Sequence, residues 1–216
     1  MYFQYGEKEI IYLKRKCKKL ASVIDEIGMI KRDVDKDLFS VVIFSIVGQQ
    51  ISSRAQETVW KRFTEGLGSI NADSIIEAGA DKIQSFGISH KKAEYIIDFA
   101  NKIKSGELDL NNIWGKSDEE VINELTSLKG IGVWTAEMLM LFCMERKNIF
   151  SYNDLAIQRG LRMVYHHRKI TKPLFEKYRR RFSPYCSVAS LYLWEVSGGR
   201  IEGLKDYAPK TTKKRG

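Results

Sequence analysis

Apolar residues recur every three to four positions along most of this 216-residue chain, which is the spacing of helices that bury one face. No stretch alternates apolar and polar side chains with the period of two that marks a half-buried strand, and only three prolines interrupt the pattern. The pattern therefore predicts an all-α fold. The predicted helices span residues 8–27, 36–48, 53–66, 72–79, 90–104, 117–127, 133–146, 154–166, 171–182 and 185–197.

Polar residues at the predicted helix starts support several of these boundaries. Ser52 or Ser53 precedes the third helix, and Asn71 precedes the fourth. Ser117 is followed three residues later by Glu120, which is the pattern of a capping box. These signals predict short helices joined by short connections.

Positive charge is concentrated near the end of the chain. The net charge is +9, and residues 159–216 hold 15 basic and 4 acidic side chains, whereas residues 1–158 hold 21 and 23. Such a segment favours binding to a polyanion, with nucleic acid ahead of an anionic membrane. A charged segment that only aids solubility is the alternative. The low-complexity stretch 210–216 is expected to be frayed.

Several classes of protein are disfavoured. The longest mainly apolar run, residues 39–47, is shorter than the roughly 20 residues that cross a bilayer, and no signal-peptide pattern opens the chain. We therefore expect no membrane partner and a cytoplasmic protein, nucleoid-associated in a bacterium or archaeon. Cys17, Cys143 and Cys186 are few and far apart, which predicts buried or free thiols and no disulfide framework.

A Gly-x-Gly turn lies between two predicted helices, at Gly130 and Gly132. Glycines let the backbone approach a ligand closely, and the helix that follows directs N–H groups and the positive end of its dipole outward. A phosphate fits such a turn, with Leu128 and Ile131 buried to brace it and Lys129 adding a positive charge. An ordinary αα-hairpin that ends in glycine is the alternative.

The residues around this turn form a longer motif. Residues 128–136 read Leu-Lys-Gly-Ile-Gly-Val-Trp-Thr-Ala, and Asp154 follows twenty positions after Trp134. This pattern resembles the helix-hairpin-helix DNA glycosylase superfamily, whose hallmark is Leu-x-Gly-[Ile/Val]-Gly-x-x-Thr-Ala followed at a similar distance by an essential aspartate at a helix start. The resemblance extends over about residues 41–196, most of the chain.

The resemblance implies a two-lobed helical fold with a DNA-binding cleft. One lobe would comprise residues 36–146 and carry the hairpin, and the other would comprise residues 1–35 and 147–216 and carry Asp154, facing the hairpin across the DNA. The implied partner is double-stranded damaged DNA, bound by a monomer without a required cofactor. Because the chain starts almost at its first helix, we expect it to lack the amino-terminal β-rich domain of longer relatives.

Asp154 stands at the start of a predicted helix and has two interpretations. As a cap, it or the neighbouring Asn153 would accept hydrogen bonds from N–H groups of the first turn. The resemblance instead makes Asp154 the catalytic carboxylate. In that role it stabilises the positive charge that develops on the deoxyribose as the base departs, and it orients or deprotonates the attacking water.

Two departures from the pattern of some members of this family narrow the chemistry that the resemblance implies. Relatives that also cut the strand carry a lysine two residues after the second hairpin glycine, where its amine forms a Schiff base, and this chain has Trp134 there. A carboxy-terminal four-cysteine cluster is also missing. The chain therefore resembles the AlkA-like 3-methyladenine glycosylases, which implies a monofunctional enzyme for alkylated purines. Excision of 8-oxoguanine, hypoxanthine or uracil, and a non-catalytic DNA-binding module, are the alternatives.

The resemblance also assigns residues to the flipped base and to the gap that it leaves. Trp134 and Trp194 would line the base pocket, where indole faces favour a cationic alkylated purine. Burial in the core is their alternative. Gln50 and Ile51 follow an apolar helix and are candidates to fill the gap in the duplex. A polar connection between helices is the alternative for them.

Further contacts are expected around the motif. The resemblance places DNA on Lys129, Gly130, Gly132 and Thr135. It also implies a structural Na⁺ or K⁺ on the backbone carbonyls of Thr126, Leu128 and Ile131. The basic run 177–181 is a candidate to follow the opposite strand. We expect His166 and His167 to be surface or phosphate contacts.

Overall fold

The computed structural model describes residues 1–209, and the stretch 210–216, expected to be frayed, lies outside the described residues. Residues 1–209 form eleven α-helices and one 3-10 helix, and their only extended pairing is an isolated bridge between Tyr2 and Asp33. The all-α prediction is confirmed. The α-helices are α1 (Glu7–Lys16), α2 (Lys18–Ile27), α3 (Leu38–Gly48), α4 (Ser53–Leu67), α5 (Ala72–Ser85), α6 (His90–Lys104), α7 (Asp118–Thr126), α8 (Val133–Phe142), α9 (Leu155–Tyr165), α10 (Lys172–Phe182) and α11 (Cys186–Ser197), and the 3-10 helix is Asn112–Gly115.

The chain divides into two compact units. The first combines Met1–Asp33 with the residues from Glu145 onward, so it contains α1, α2 and α9 to α11. The second is Val34–Met144, which contains α3 to α8 and the Gly-x-Gly turn.

The Val34–Met144 unit is built around α3, an almost entirely apolar helix. Helices α4, α6 and α8 pack against it, and Phe39 of α3 stacks on Phe99 of α6 with ring centroids 5.0 Å apart. Because α8 contacts α3, the turn that precedes α8 is supported by the core of this unit. The fully buried side chains of α3 are Val42, Ile43, Ile46 and Val47.

In the other unit, α9 packs very closely on α11. A Cβ on Gly160 of α9 would lie 2.4 Å from the carbonyl oxygen of Leu193, so only glycine allows this approach. Phe150, just before α9, stacks on Phe175 of α10 with centroids 4.4 Å apart. These contacts hold the start of α9, where Asp154 lies, against a buried helix.

The predicted helix 8–27 is wrong as a single element, because it breaks at Cys17. The backbone of Cys17 is extended (φ −155°, ψ 107°) and separates α1 from α2. Cys17 is buried, and its Sγ lies 3.0 Å from the hydroxyl of Tyr165. Neither glycine nor proline lies at this break, so the local sequence does not indicate it. The break is accompanied instead by packing against Tyr165, a residue distant in the sequence.

Two further helix ends and one short element differ from the predictions. The helix predicted to end at residue 79 continues as α5 to Ser85, with a non-helical Gly79 (φ 70°, ψ 169°) inside it. The helix predicted over 133–146 ends at Phe142. The 3-10 helix at 112–115 was not predicted, because four residues are too few to show a periodicity.

The predicted helix starts and the cysteine prediction are confirmed. Ser52 and Asn71 are N-caps, and the capping box of Ser117 and Glu120 forms. All three cysteines are free and buried. Burial raises the pKa of Cys143 and of Cys186 to about 12, so these thiols are protonated at neutral pH. Within residues 1–209, no helix has the length and apolar character needed to span a bilayer.

Candidate functional site

The Gly-x-Gly turn joins α7 to α8 as a tight hairpin. Leu128 and Ile131 are buried, as predicted, whereas Lys129 and Gly130 are exposed. The N–H of Ile131 donates to the carbonyl of Leu128 at 3.1 Å and closes the turn. The apolar side chains thus anchor the hairpin to the core and leave its backbone at the surface.

The two glycines of the hairpin serve different needs. Gly130 has φ +85°, and a Cβ there would lie 2.6 Å from the ring of Tyr95, so the fold itself requires glycine. Gly132 is the N-cap of α8 with φ −91°, and a Cβ there would meet no atom within 4 Å. The missing side chain at Gly132 therefore serves no packing need, and it leaves open the space in front of the amino end of α8.

A side chain that no motif in the sequence indicates braces this hairpin. The Nε2 of Gln49 donates to the carbonyl of Gly130 at 2.7 Å. Lys92 Nζ in turn donates to the carbonyl oxygens of Val47 and Gln49, at 2.9 and 2.6 Å. Burial lowers the pKa of Lys92. The end of α3 and the hairpin are thus joined by a short hydrogen-bonded chain.

The neighbours of Gln49 are the residues that the sequence favoured for the gap in the duplex. Gln50 is exposed, and its backbone has φ +60°, a left-handed conformation that is uncommon outside glycine. Ile51 is also exposed, which is unusual for a β-branched apolar residue. Both side chains therefore project from the connection between α3 and α4, and their role stays a prediction.

Lys129 does not stand alone beside the turn. Its Nζ pairs with Oδ1 of Asp98 at 2.7 Å, and this hydrogen bond raises the pKa of Lys129. The positive charge expected from the sequence is present, but a carboxylate from α6 accompanies it. Asp98 lies 31 positions before Lys129, so no local pattern could have revealed the pair.

Asp154 is the N-cap of α9. Its Oδ1 accepts hydrogen bonds from the N–H groups of Ala156 and Ile157, at 2.9 and 2.8 Å. The residue is only 6% exposed, whereas Asn153 is exposed and does not take the capping position. The capping interpretation is therefore correct as geometry. It is compatible with a catalytic role, because two N–H donors fix the orientation of the carboxylate.

The two candidate pocket tryptophans differ in exposure. Trp134 is 47% exposed on the first turn of α8, so it is not a core side chain. Trp194 of α11 is partly buried, on a helix whose other residues are mostly buried. Thr135, next to Trp134, is partly exposed in the same first turn. The base-pocket and DNA-contact roles stay predictions.

The candidate histidines and metal ligands can also be placed. His166 ends α9 in a left-handed conformation and stacks on Tyr207 with centroids 4.6 Å apart, and His167 Nε2 lies 2.7 Å from the hydroxyl of Tyr178. Within the described part of the chain, no three His, Cys, Asp or Glu side chains converge as metal ligands. The carbonyl of Leu128 accepts one hydrogen bond and keeps a second lone pair that could bind a cation. The monovalent-cation site on the carbonyls of Thr126, Leu128 and Ile131 stays a prediction.

The sequence matches the family model of the HhH-GPD superfamily base excision DNA repair proteins over residues 43–184, which is more than half of the chain. The chain belongs to this family. The family expected from the hairpin motif is therefore confirmed, and the matched residues of this HhH-GPD protein include both the hairpin and Asp154.

Solved structures give the same assignment for the fold. This HhH-GPD protein is similar to a crystal structure of a DNA-3-methyladenine glycosidase from Bacillus halodurans, with a TM-score of 0.84 and 29% identity over 94% of this chain and 95% of that one. It is also similar to the Schizosaccharomyces pombe 3-methyladenine DNA glycosylase Mag1 in complex with abasic DNA, with a TM-score of 0.77 and 26% identity over 94% of this chain and 100% of that one.

A curated relative extends the comparison. The YfjP protein of Bacillus subtilis is 26% identical over 184 residues, which cover 81% of this chain and 64% of YfjP. The chain thus spans less than two thirds of the length of this relative.

Proposed function

We propose that this HhH-GPD protein is a monofunctional DNA glycosylase of base excision repair. It hydrolyses the N-glycosidic bond of alkylated purines of the 3-methyladenine type, flipped out of damaged duplex DNA, and leaves an abasic site. The observation that carries the proposal is Asp154, a buried carboxylate fixed by two N–H groups at the start of α9. Two similar solved proteins are named for 3-methyladenine, and one of them was solved with abasic DNA, the product of such a reaction.

The hairpin supplies the DNA contact in this proposal. The exposed backbone of Gly130 and Gly132, followed by the amino end of α8, offers N–H groups and a positive dipole end to a phosphate. Lys129 adds charge at the same turn. A phosphate contact of this kind positions the protein without reading sequence, which suits an enzyme that acts on lesions in any sequence context.

Asp154 acts on the sugar. As the bond between C1′ and the base nitrogen breaks, its electron pair leaves with the base and positive charge builds on the deoxyribose. The carboxylate stabilises that charge and orients or deprotonates a water, whose oxygen then bonds to C1′. Because Asp154 is 6% exposed, bulk water screens this interaction little.

An alkylated purine makes this chemistry easier. Alkylation at N3 or N7 gives the base a positive charge, so it departs as a neutral molecule and needs no proton donor. The exposed indole of Trp134 offers a face that attracts such a cation, and we propose the same role for Trp194. Trp134 also stands where strand-cutting relatives carry their lysine, so the product is an abasic site in an uncut strand.

One chain carries both the hairpin and Asp154, so we propose that a monomer suffices. The carbonyls of Thr126, Leu128 and Ile131 would hold a Na⁺ or K⁺, which would add positive charge at the hairpin when bound. Gln50 and Ile51 would fill the gap that the flipped base leaves in the duplex.

The experiment is the release of free bases from methylated duplex DNA by purified protein. The products are resolved by chromatography, and the DNA is tested for nicks before and after alkali. We expect release of methylpurines, with nicks only after alkali. If oxidised or deaminated bases are released and methylpurines are not, the protein is a glycosylase for those lesions and the proposed substrate is wrong. If a panel of lesions yields no base while DNA is bound, a non-catalytic DNA-binding module is the better account.

A further inference from the structure

Two basic runs from opposite ends of the sequence meet on one surface of the unit that contains α1, α2 and α9 to α11. The first run, residues 14–19, lies at the junction of α1 and α2, and the second, residues 177–181, lies on α10. Helices α1 and α10 contact each other, and the hydroxyl of Tyr12 on α1 donates to the carbonyl of Ser183 at the end of α10. The sequence gives each run separately and does not indicate that they converge.

Aromatic side chains hold the two runs together. Lys19 Nζ lies 6.0 Å from the ring centre of Tyr165, which packs on Tyr178 with centroids 4.4 Å apart. The guanidinium of Arg181 lies 5.6 Å from the ring centre of Tyr178. On the α1 side, Lys16 Nζ lies 5.3 Å from the ring centre of Tyr12. We call the set Lys16, Lys19, Lys177 and Arg181 the basic surface.

The break at Cys17 belongs to this arrangement. Cys17 is buried against the hydroxyl of Tyr165, and α2 begins one residue later, at Lys18. This contact fixes the junction between the two helices, and therefore Lys16 and Lys19, beside the aromatic cluster that α9 and α10 provide. The backbone positions of Lys16 and Lys19 are thus set by this buried contact.

The charges of the basic surface are not balanced by neighbouring acids. Lys14 pairs with Asp25, and Arg179 pairs with Glu176 at 3.5 Å. By contrast, none of the four residues of the basic surface forms an ion pair with a carboxylate among residues 1–209. The pKa of His167 reflects this field, because burial lowers it first and the charges of Lys19 and Lys177 lower it further. Four uncompensated cations on one face require a polyanionic ligand or solvent ions.

We propose that the basic surface binds the phosphate backbone of duplex DNA, as a contact in addition to the hairpin. This inference rests on the proposed function in one respect, because that function identifies DNA as the polyanion. Lysine and arginine side chains bind phosphate oxygens by charge-assisted hydrogen bonds, and each neutralised phosphate releases counterions. Such a contact carries no lesion specificity, so it adds affinity for all duplexes alike.

The test measures binding of an undamaged duplex by fluorescence anisotropy at several salt concentrations. The variant replaces all four residues of the basic surface with glutamine: Lys16→Gln, Lys19→Gln, Lys177→Gln and Arg181→Gln. Each phosphate contact contributes a slope of about −0.9 to log K against log salt, so we expect the slope to become less steep by about 3.6 for the four contacts. At low salt we expect the affinity to fall by at least about tenfold.

A matched control removes the same number of charges from α4, α5 and α6: Lys61→Gln, Lys82→Gln, Lys102→Gln and Lys104→Gln. It should keep the wild-type slope. If the quadruple variant of the basic surface does not fold by circular dichroism, the Lys16/Lys19 and Lys177/Arg181 double variants replace it, each with a slope less steep by about 2.

Two results overturn the proposal. One is an equal slope and affinity for the surface variant and its control. The other is a loss that appears with duplex RNA or with anionic vesicles but not with duplex DNA. Because undamaged DNA contains no substrate base, this test is independent of base release. A protein that binds DNA through the basic surface but releases no base would refute the proposed glycosylase and leave the proposed DNA contact standing. A protein that releases methylpurine while the surface variant binds DNA like its control would refute the DNA contact and leave the proposed glycosylase standing.

Discussion

The side-chain amide of Gln49 donates a hydrogen bond of 2.7 Å to the carbonyl oxygen of Gly130, across 81 positions of sequence. Gln49 directly follows α3 and adjoins the exposed pair Gln50 and Ile51, and Gly130 lies in the hairpin. This hydrogen bond therefore joins the connection after α3 directly to the hairpin. Two of the segments that the proposed function places on DNA share this one bond.

Loss of the Gln49 amide should loosen the hairpin. We expect Gln49→Ala to lower the free energy of unfolding by about 1 kcal/mol, the usual net value of one hydrogen bond, and to weaken binding of duplex DNA several-fold. Urea unfolding and anisotropy measure the two effects. Gln84→Ala, which removes an exposed amide from α5, is the control and should change neither. Wild-type DNA affinity in Gln49→Ala would show that the brace does not serve binding.

The two hairpin glycines should respond differently to alanine. In Gly130→Ala the new Cβ would meet the ring of Tyr95 at 2.6 Å in a backbone with φ +85°, so we expect a loss of about 1–3 kcal/mol in the free energy of unfolding. Gly132→Ala has open space and an ordinary backbone, so we expect near wild-type stability together with weaker DNA binding. Thermal unfolding and anisotropy separate these outcomes. Unchanged DNA affinity in Gly132→Ala would contradict a close approach of DNA at this position.

The features that could be predicted from the sequence depend on near neighbours. Two local motifs each occupy a few consecutive positions: the capping box of Ser117 and Glu120, and the Gly-x-Gly turn. Both can therefore be recognised from the sequence alone. The break at Cys17 could not be predicted, because apolar spacing continues through it and packing on Tyr165 accompanies it.

The candidate site likewise has features that the local sequence indicates and features that distant residues form. Asp154 was found from its distance to the hairpin motif, and its capping bonds involve the next few residues. The brace from Gln49 and the carboxylate of Asp98 come from residues far away in the sequence. Only folding brings such pairs together, and the spacing of residues along the chain contains no signal for them.

The ion pair of Lys129 and Asp98 should tune DNA affinity. Asp98 competes with phosphate for the Lys129 ammonium, so we expect Asp98→Asn to tighten binding of undamaged duplex DNA by a few-fold and Lys129→Gln to weaken it. Both effects should appear on every sequence. Anisotropy titrations at two salt concentrations measure them. Weaker binding by Asp98→Asn would mean that Asp98 orients Lys129 for phosphate and does not compete with it.

The unit that carries Asp154 should lose stability in acid through Asp206. Arg162 of α9 donates to both carboxylate oxygens of Asp206 at 2.7 Å, and this pairing holds the pKa of Asp206 below its ordinary value of 3.8. The lowered pKa means that the stabilisation is complete above the ordinary value and is lost as pH falls through the lowered one.

Urea unfolding at neutral pH and below pH 3.8 checks this contribution. Wild type should lose about 1 kcal/mol more than Asp206→Asn between the two conditions. Asp81→Asn, an exposed carboxylate on α5, is the control and should follow wild type. Equal losses in wild type and Asp206→Asn would show that the pair does not stabilise the fold.

The most direct test of the central claim is single-turnover release of methylpurine from methylated duplex DNA by wild type and Asp154→Asn. Asparagine caps helices as well as aspartate does, so this variant can keep the bonds to Ala156 and Ile157 while it removes the charge. We predict wild-type thermal stability, retained DNA binding and a release rate lower by orders of magnitude. If a folded Asp154→Asn protein releases methylpurine at the wild-type rate, Asp154 is only a cap and the proposed mechanism is wrong.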